Sequence, residues 1–298
     1  GLHGAWMRRD RTRPRGRVAA SGLRCNGRVM QPGIRRLARA TLAAFDRVDR
    51  LAHSVRTRRQ GLLEGFASAV LSSEELLSQT TAVYERRGEP SGALHEWELE
   101  WLKLAPPPPA RVLVGGAGYG RECAALAARG YRVVAYEPSA EAAEACADHA
   151  PCVVGTHEDL TLAVERGAGP LAAMIDDEPF DVVWLGWGSL SHVLGRADRR
   201  RTLLASARLS RGPVFASAWV SDMPRVSTTR VRWFLAGARI GAALGGEARD
   251  FSLTYGPQSG WAVVIQRAEL EECAVAMDRD LAVATHPGVS ALMFRGRS

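Results

Sequence analysis

Residues 111–137 read RVLVGGAGYGRECAALAARGYRVVAYE, and this stretch decides the fold. A short apolar run, Arg111 to Val114, leads into Gly116-Ala117-Gly118-Tyr119-Gly120. A helical stretch from about Arg121 to Arg129 follows, and a second strand-like run, Tyr131 to Tyr136, ends at Glu137. Small residues after a strand let the backbone turn sharply and approach a ligand, with the N–H groups of the next helix facing it. A carboxylate at the tip of the second strand suits the two hydroxyl hydrogens of a ribose. Two nucleotide motifs fail here. The dinucleotide pattern G-x-G-x-x-G meets Arg121 at its sixth position if it starts at Gly116, and Ala117 at its third if it starts at Gly115. No Gly-Lys-Ser/Thr follows, which excludes a P-loop.

Downstream the same rhythm continues. A helix from about Ala140 to His149 precedes strands at Cys152 to Val154 and Asp181 to Leu185, and an arginine-rich helix from about Ala197 to Leu209 precedes a strand at Val214 to Ser217. This alternation predicts an α/β fold, a mainly parallel sheet with helices on both faces. Further on, Trp261 to Ile265 reads as a strand, Ala268 to Met277 as a helix and Val289 to Phe294 as a last strand, with a helical insertion around Arg230 to Leu244.

Upstream of the Pro106–Pro109 run everything is helical. Ile34, Leu37, Phe45, Val48, Ala52 and Val55 recur at amphipathic spacing, and a second helical stretch holds Leu62, Leu63, Phe66 and Val70. Ser72 and Glu75 have capping-box spacing before a helix to about Arg86. Gly88, Pro90 and Gly92 break the chain before a short helix with Leu94, Trp97, Trp101 and Leu102. The expected organisation is a tail over 1–29, a helical cap and proline linker over 30–109, and a ligand-binding catalytic domain over 110–298.

The net charge of +7 is misleading, because residues 1–29 hold eight arginines against Asp10 and carry all of it. That segment lacks apolar periodicity, so we expect a disordered tail. Two readings of it stay open, a native tail or an extension ahead of a natural start at Met30. The rest of the chain is balanced, which reduces nucleic acid to a minor hypothesis. Five cysteines, odd in number and never in C-x-x-C spacing, give neither a disulfide framework nor a zinc site. They read as small buried hydrophobes in a reducing compartment. No stretch approaches the roughly 18 apolar residues of a membrane span, and no secretory signal is seen. A cytoplasmic protein without membrane association is expected.

In combination, residues 111–137 resemble motif I and the second-strand acid of the Rossmann-like (class I) S-adenosylmethionine (SAM)-dependent methyltransferases. The resemblance extends over roughly residues 110–220. It implies that Gly116, Ala117, Gly118 and Gly120 wrap the methionine part of SAM, and that Glu137, followed by Pro138, holds the ribose. Gly155-Thr156-His157-Glu158-Asp159-Leu160 resembles the loop after the third strand, which would place Thr156 or His157 beside the adenine amine. Phe180 to Leu185 resembles the fourth strand, ending in Gly186-Trp187-Gly188-Ser189 at the catalytic edge. Many members carry an acid in the first strand where this chain has Val114, so the amino group of SAM is expected to rest on backbone carbonyls. The helices before motif I commonly lie over the site as a lid.

The fourth-strand edge of methylases acting on DNA bases and protein amides reads N/D-P-P-Y/F, and here it reads Gly-Trp-Gly-Ser. Metal-dependent catechol methylases place acids at the ends of strands four and five, where this chain has Gly and Ser-Ala-Trp, so no metal is predicted. His192 follows the catalytic edge and is the candidate base. Tyr84, His95, Glu96 and Trp97 are candidates from the cap, Tyr84 being the best substrate contact and Trp97 and Trp101 reading as core. Tyr255 and Gln258 lie in a glycine-flanked loop suited to completing the pocket, and Trp187 to walling it. His53, His149 and His286 read as solvent-facing.

The reading is a methyltransferase acting on O or N of a small molecule, of the kind used in secondary metabolism. Two alternatives remain: a SAM-consuming cyclase or aminocarboxypropyl transferase releasing methylthioadenosine, and a noncatalytic SAM-binding protein. Oligomeric state is not legible.

Overall fold

The structure is a computed structural model that describes residues 32–87, 93–175, 178–222, 229–246, 253–286 and 288–296. The expected tail over 1–29 and the break at Gly88, Pro90 and Gly92 lie outside these residues. The helices are α1 (Pro32–Val70), α2 (Ser73–Arg87), α3 (Glu96–Leu102), α4 (Arg121–Ala127), α5 (Ala140–Ala147), α6 (His157–Arg166), α7 (Arg196–Leu209), α8 (Thr229–Ala243) and α9 (Arg267–Ala276). The strands are β1 (Arg111–Gly115), β2 (Arg132–Glu137), β3 (Cys152–Val154), β4 (Val182–Leu185), β5 (Val214–Ala218), β6 (Val220–Ser221), β7 (Leu253–Gly256), β8 (Gly260–Val263), β9 (Ile265–Gln266), β10 (Arg279–His286) and β11 (Val289–Gly296). Two compact units are present, one ending at Ala52 and the other starting at His53.

Seven strands form one sheet in the order β10-β11-β5-β4-β1-β2-β3. β1 to β5 run parallel to their neighbours, and β11 and β10 close the edge antiparallel. Strands buried on both faces need apolar residues at every position, and β1, β4 and β5 are buried throughout. On one face Leu113, Tyr136, Val183 and Leu185 pack under Leu160 of α6, Leu203 of α7 and Leu270 of α9. On the other, Val112, Val114, Trp184 and Phe215 meet Trp101 of α3, Cys123 and Leu126 of α4, and Cys146 of α5. Trp101 stacks on Phe215 at 4.9 Å and is core, as its spacing predicts.

The expected elements from β1 to β5 appear within one or two residues. The Ser72–Glu75 capping box forms in both directions, at 2.7 and 3.1 Å. Four expectations need correction. The two helical stretches expected before Ser72 are one helix, α1. The segment taken as the loop after the third strand is the helix α6, started by a reciprocal box between Thr156 and Asp159. The strand expected over Trp261 to Ile265 breaks at Val264: β8 forms a hairpin with β7, and β9 pairs with β6, both outside the main sheet. β10 had no counterpart in the sequence reading, because its alternation is shallow and it lies at an edge. The apolar residues Leu42, Phe45, Val48 and Leu51 of α1 are exposed.

Within the larger unit, α1 and α8 pack backbone to backbone. Gly61 and Gly65 of α1 lie against Arg230 and Phe234, while Gly237 and Gly241 of α8 lie against Leu62, Phe66 and Ala69. A β-carbon on Gly65 or Gly237 would enter the opposing main chain, which cannot yield as a side-chain tip can. Glu64 completes the junction by pairing with Arg230 and accepting the Tyr255 N–H at 3.2 Å. We predict that Gly65→Val destabilises the protein by about 1–3 kcal/mol in urea denaturation. Gly296→Ala, which adds a methyl to open space, is the control and leaves stability nearly unchanged.

Candidate active site

The site forms where the strand order reverses about β1. Gly116 N–H donates to Tyr136 O at 2.9 Å on one side, and Gly186 N–H to Gly115 O at 2.8 Å on the other. Between them the glycine loop lifts off the sheet with Gly116, Gly118 and Gly120 all in the left-handed region. Gly118 is the telling position. Its N–H donates to Glu137 Oε2 at 2.8 Å, while the space where its β-carbon would stand is open. Glu137 is also fixed by the Ser139 N–H on Oε1 at 3.1 Å. Burial raises its pKa, and these two backbone donors oppose that shift. A buried, oriented carboxylate beside an open cradle is what a ribose diol requires.

The β4 edge is equally built. Gly188 N–H donates to Ser217 Oγ at 2.7 Å, and Trp219 N–H to Ser191 Oγ at 2.9 Å, so two small serines pin the loop. Ser189 is packed against Gly116, and its buried hydroxyl has no hydrogen-bond partner. Trp187 meets Trp219 edge-on at 6.1 Å, and Trp219 meets His192 edge-on at 5.5 Å, giving an aromatic wall. Trp219 was missed as a site residue, although it follows the fifth strand directly; its aromatic character was the available signal.

Helix α2 crosses this edge. Its Thr80 and Gln79 accept from the Trp261 backbone and indole N–H at 3.0 and 2.8 Å, tying it to β8. Its Glu85 accepts from Ser139 Oγ at 2.7 Å, beyond the tip of β2. Between these anchors Tyr84 Oη lies 2.9 Å from His192 Nε2, and His192 Nδ1 lies 2.8 Å from Trp261 O. A carbonyl accepts only, so Nδ1 carries the hydrogen and the Nε2 lone pair accepts from the tyrosine. Burial lowers the His192 pKa, opposed by that carbonyl. The structure thus brings Tyr84 and His192 together.

Other expected residues fall elsewhere. The Thr156 hydroxyl is engaged with Asp159 as a helix cap. His157 turns under the sheet edge, with Nδ1 2.7 Å from Tyr136 Oη and its ring close to Gly116. Tyr255 packs on Trp261 at 5.3 Å and lines a separate cavity of about 340 Å³ with Arg56, Arg59, Gln60, Leu63, Glu64 and Pro257. His286 stacks on Trp97 at 5.8 Å instead of standing free in solvent. His95 stacks on Trp97 from its other side, at 5.8 Å. Cys123 and Cys146, far apart in sequence, lie 3.6 Å apart at sulfur, buried as expected. Among the described residues no group of three or more His, Cys, Asp or Glu side chains is placed to hold a metal, and no helix is long and apolar enough to cross a membrane.

Comparison with known proteins agrees with this geometry. Residues 113–212, the span from β1 to the turn before β5, match the model of a methyltransferase domain. The Rossmann-like sheet of this chain thus carries a segment similar to a methyltransferase domain. The CcbJ methyltransferase of Streptomyces caelestis has the same fold at 14% identity, with TM-score 0.50, covering 76% of this chain and all of that one (100%). The magnesium protoporphyrin IX methyltransferase ChlM of Synechocystis PCC 6803, solved with bound SAM, is 12% identical with TM-score 0.46, covering 76% and 98% of the two chains. CalS10, an amino pentose methyltransferase of Micromonospora echinaspora, is 14% identical with TM-score 0.45, covering 72% and 95%. A search of curated proteins finds no match.

The residues present fit SAM: Glu137 and the open space at Gly118 would take the ribose and the start of the methionine chain. Glu137→Ala removes a charged acceptor worth about 1.5–3 kcal/mol, and should weaken SAM binding roughly 10–100-fold in calorimetry with the fold intact. A second expectation concerns acid. Burial, helped by His192, pushes the His157 imidazole down to about 4, against about 6.5 in an unfolded chain. The folded state therefore binds fewer protons between these values. Stability from neutral His157 is whole above about pH 6.5 and is lost as pH falls toward about 4. Denaturation at stepped pH should show a shallower acid slope in His157→Phe than in the wild-type chain.

Proposed function

We propose that this methyltransferase acts on a hydroxyl or amino group of a small molecule, and that Tyr84 and His192 remove the acceptor's proton. The observation that carries the reading is the hydrogen-bonded chain from Tyr84 Oη through the His192 ring to Trp261 O. When bound, SAM supplies a methyl group on a sulfonium, open to in-line attack. What the protein must add is position and a proton path. An acceptor X–H approaching Tyr84 Oη gives its proton to that oxygen, while the tyrosine passes its own to His192 Nε2. Nδ1–H stays on the Trp261 carbonyl, which stabilises the imidazolium. The methyl group moves from sulfur to X, and S-adenosylhomocysteine is left. A His192 pKa below its ordinary value keeps the Nε2 lone pair available through neutral pH.

The small-molecule reading is supported by α2, which spans from the β7–β8 hairpin to Ser139 and roofs the catalytic edge with Tyr84. Trp187 and Trp219 form a wall at the same edge, suited to a flat or apolar acceptor.

The test uses methyl-labelled SAM with a panel of small phenols, alcohols and amines, products being identified by mass spectrometry. Tyr84→Phe and His192→Gln should each lower kcat about 10²–10⁴-fold with SAM affinity retained. Methylthioadenosine formed without any acceptor, at an enzyme-dependent rate, would replace this reading with attack at the γ-carbon of SAM.

A further inference from the structure

The cavity of about 340 Å³ beside Tyr255 takes no part in the chemistry above, yet its walls carry charge. One wall is the second half of α1, with Arg56, Arg59, Gln60, Leu63 and Glu64; the other is β7 and the turn after it, with Tyr255 and Pro257. Residues three and four apart on a helix share a face, which is why Arg56, Arg59, Gln60 and Leu63 border the same space.

Glu64 is the one carboxylate among the described residues lining this space, and it is already committed. Its Oε1 accepts from Gln60 Nε2 at 2.8 Å and from the Tyr255 N–H at 3.2 Å, while its Oε2 pairs with Arg230. Arg56 and Arg59 have no such counterpart. Among the described residues neither enters a hydrogen bond or an ion pair. Two like charges one helical turn apart repel, and an anion set between them turns that repulsion into attraction. The rest of the wall is apolar. Leu63 is 52% exposed, and Pro257 and the Tyr255 ring stand with it. A concave space of this size, mainly apolar with a few charged groups, is the usual form of a small-molecule site.

We propose that this cavity is a second ligand site, for a small organic anion. Its carboxylate or phosphate lies between Arg56 and Arg59, and its apolar body rests on Tyr255, Leu63 and Pro257. Both anionic groups offer paired oxygens that match the fork of a guanidinium. The site goes beyond the methyl-transfer reading and stands without it, although the two share a hairpin. Tyr255 is the cross-strand partner of Trp261 and packs on its ring at 5.3 Å, and the Trp261 carbonyl receives His192 Nδ1 at 2.8 Å. Tyr255, expected from the sequence to complete the acceptor pocket, is thereby assigned to this ligand instead.

The experiment is calorimetry on the full chain with phenyl phosphate, phenylacetate, inorganic phosphate and benzyl alcohol, with and without excess S-adenosylhomocysteine. Phenyl phosphate or phenylacetate should bind in both conditions. Inorganic phosphate should bind roughly tenfold more weakly than phenyl phosphate for want of an apolar body, and benzyl alcohol should give no measurable heat. Arg59→Gln should weaken binding of the aromatic anion about 10–100-fold. Arg58→Gln makes the same change of charge one residue away, outside the cavity lining, and should leave affinity nearly unchanged. Both side chains are exposed, so neither change threatens the fold. No binding of either aromatic anion by wild type, or equal loss in the two variants, overturns the proposal. Binding that S-adenosylhomocysteine abolishes and Arg59→Gln leaves intact places the anion in the other cleft and overturns it as well.

Discussion

The two hydrogen bonds that hold the end of β1, Gly116 N–H to Tyr136 O and Gly186 N–H to Gly115 O, set the position of everything functional in this chain. They fasten three parallel strands together at the point where their continuations part. From β1 the chain rises into the glycine loop and α4, while β4 continues into the turn at Gly186 to Ser189. A crevice opens between the diverging connections, as it does wherever the strand order of a parallel sheet reverses. Glu137, Gly118, Trp187 and Ser189 all hang from its rim, on backbone that cannot shift without breaking the sheet ladder.

The electrostatics of the crevice follow from what is buried around it. Both histidines near the catalytic edge are pushed toward neutrality by burial, so neither presents a positive charge to a sulfonium. A neutral imidazole suits proton removal from an acceptor. Helix α2 makes this property usable. By bonding to the hairpin at one end and to Ser139 at the other, it delivers Tyr84 to His192 and leaves that pair half-buried.

Much of the frame was legible in the residues. The alternation of valine-rich strands and alanine-rich helices from Arg111 to Ser217 has few solutions, because strands buried on both faces must be apolar and their crossovers must be helical. Gly116 to Gly120 and Glu137 were legible for a related reason: left-handed turns and a strand-tip carboxylate are local features, written in a dozen contiguous residues. Less came through where partners are distant. β10 gave no signal because an edge strand needs little burial. The hairpin of β7 and β8 looked like part of the sheet because β8 is as apolar as a sheet strand, though what covers it is α2. The close α1–α8 contact was present as Gly61 and Gly65 facing Gly237 and Gly241, but only pairing gives that spacing meaning.

For the site the division is sharper. The sequence by itself determined that a glycine loop follows the first strand, which carboxylate stands at the tip of the second, and that His192 lies near the end of the fourth. Each of these depends on residues within one turn or one strand of each other, where spacing fixes geometry. The tertiary structure decided the tautomer of His192, its pairing with Tyr84 across more than a hundred residues, the packing of Tyr255 on Trp261 and the turning of His157 beneath the loop. It also decided that Arg121 must serve the two carboxylates of Glu98 and Glu122. Those outcomes depend on which side chains share a buried space, and burial is a property of the packed chain: the energy of a charge or a lone pair is set by neighbours that the fold brings together from remote positions.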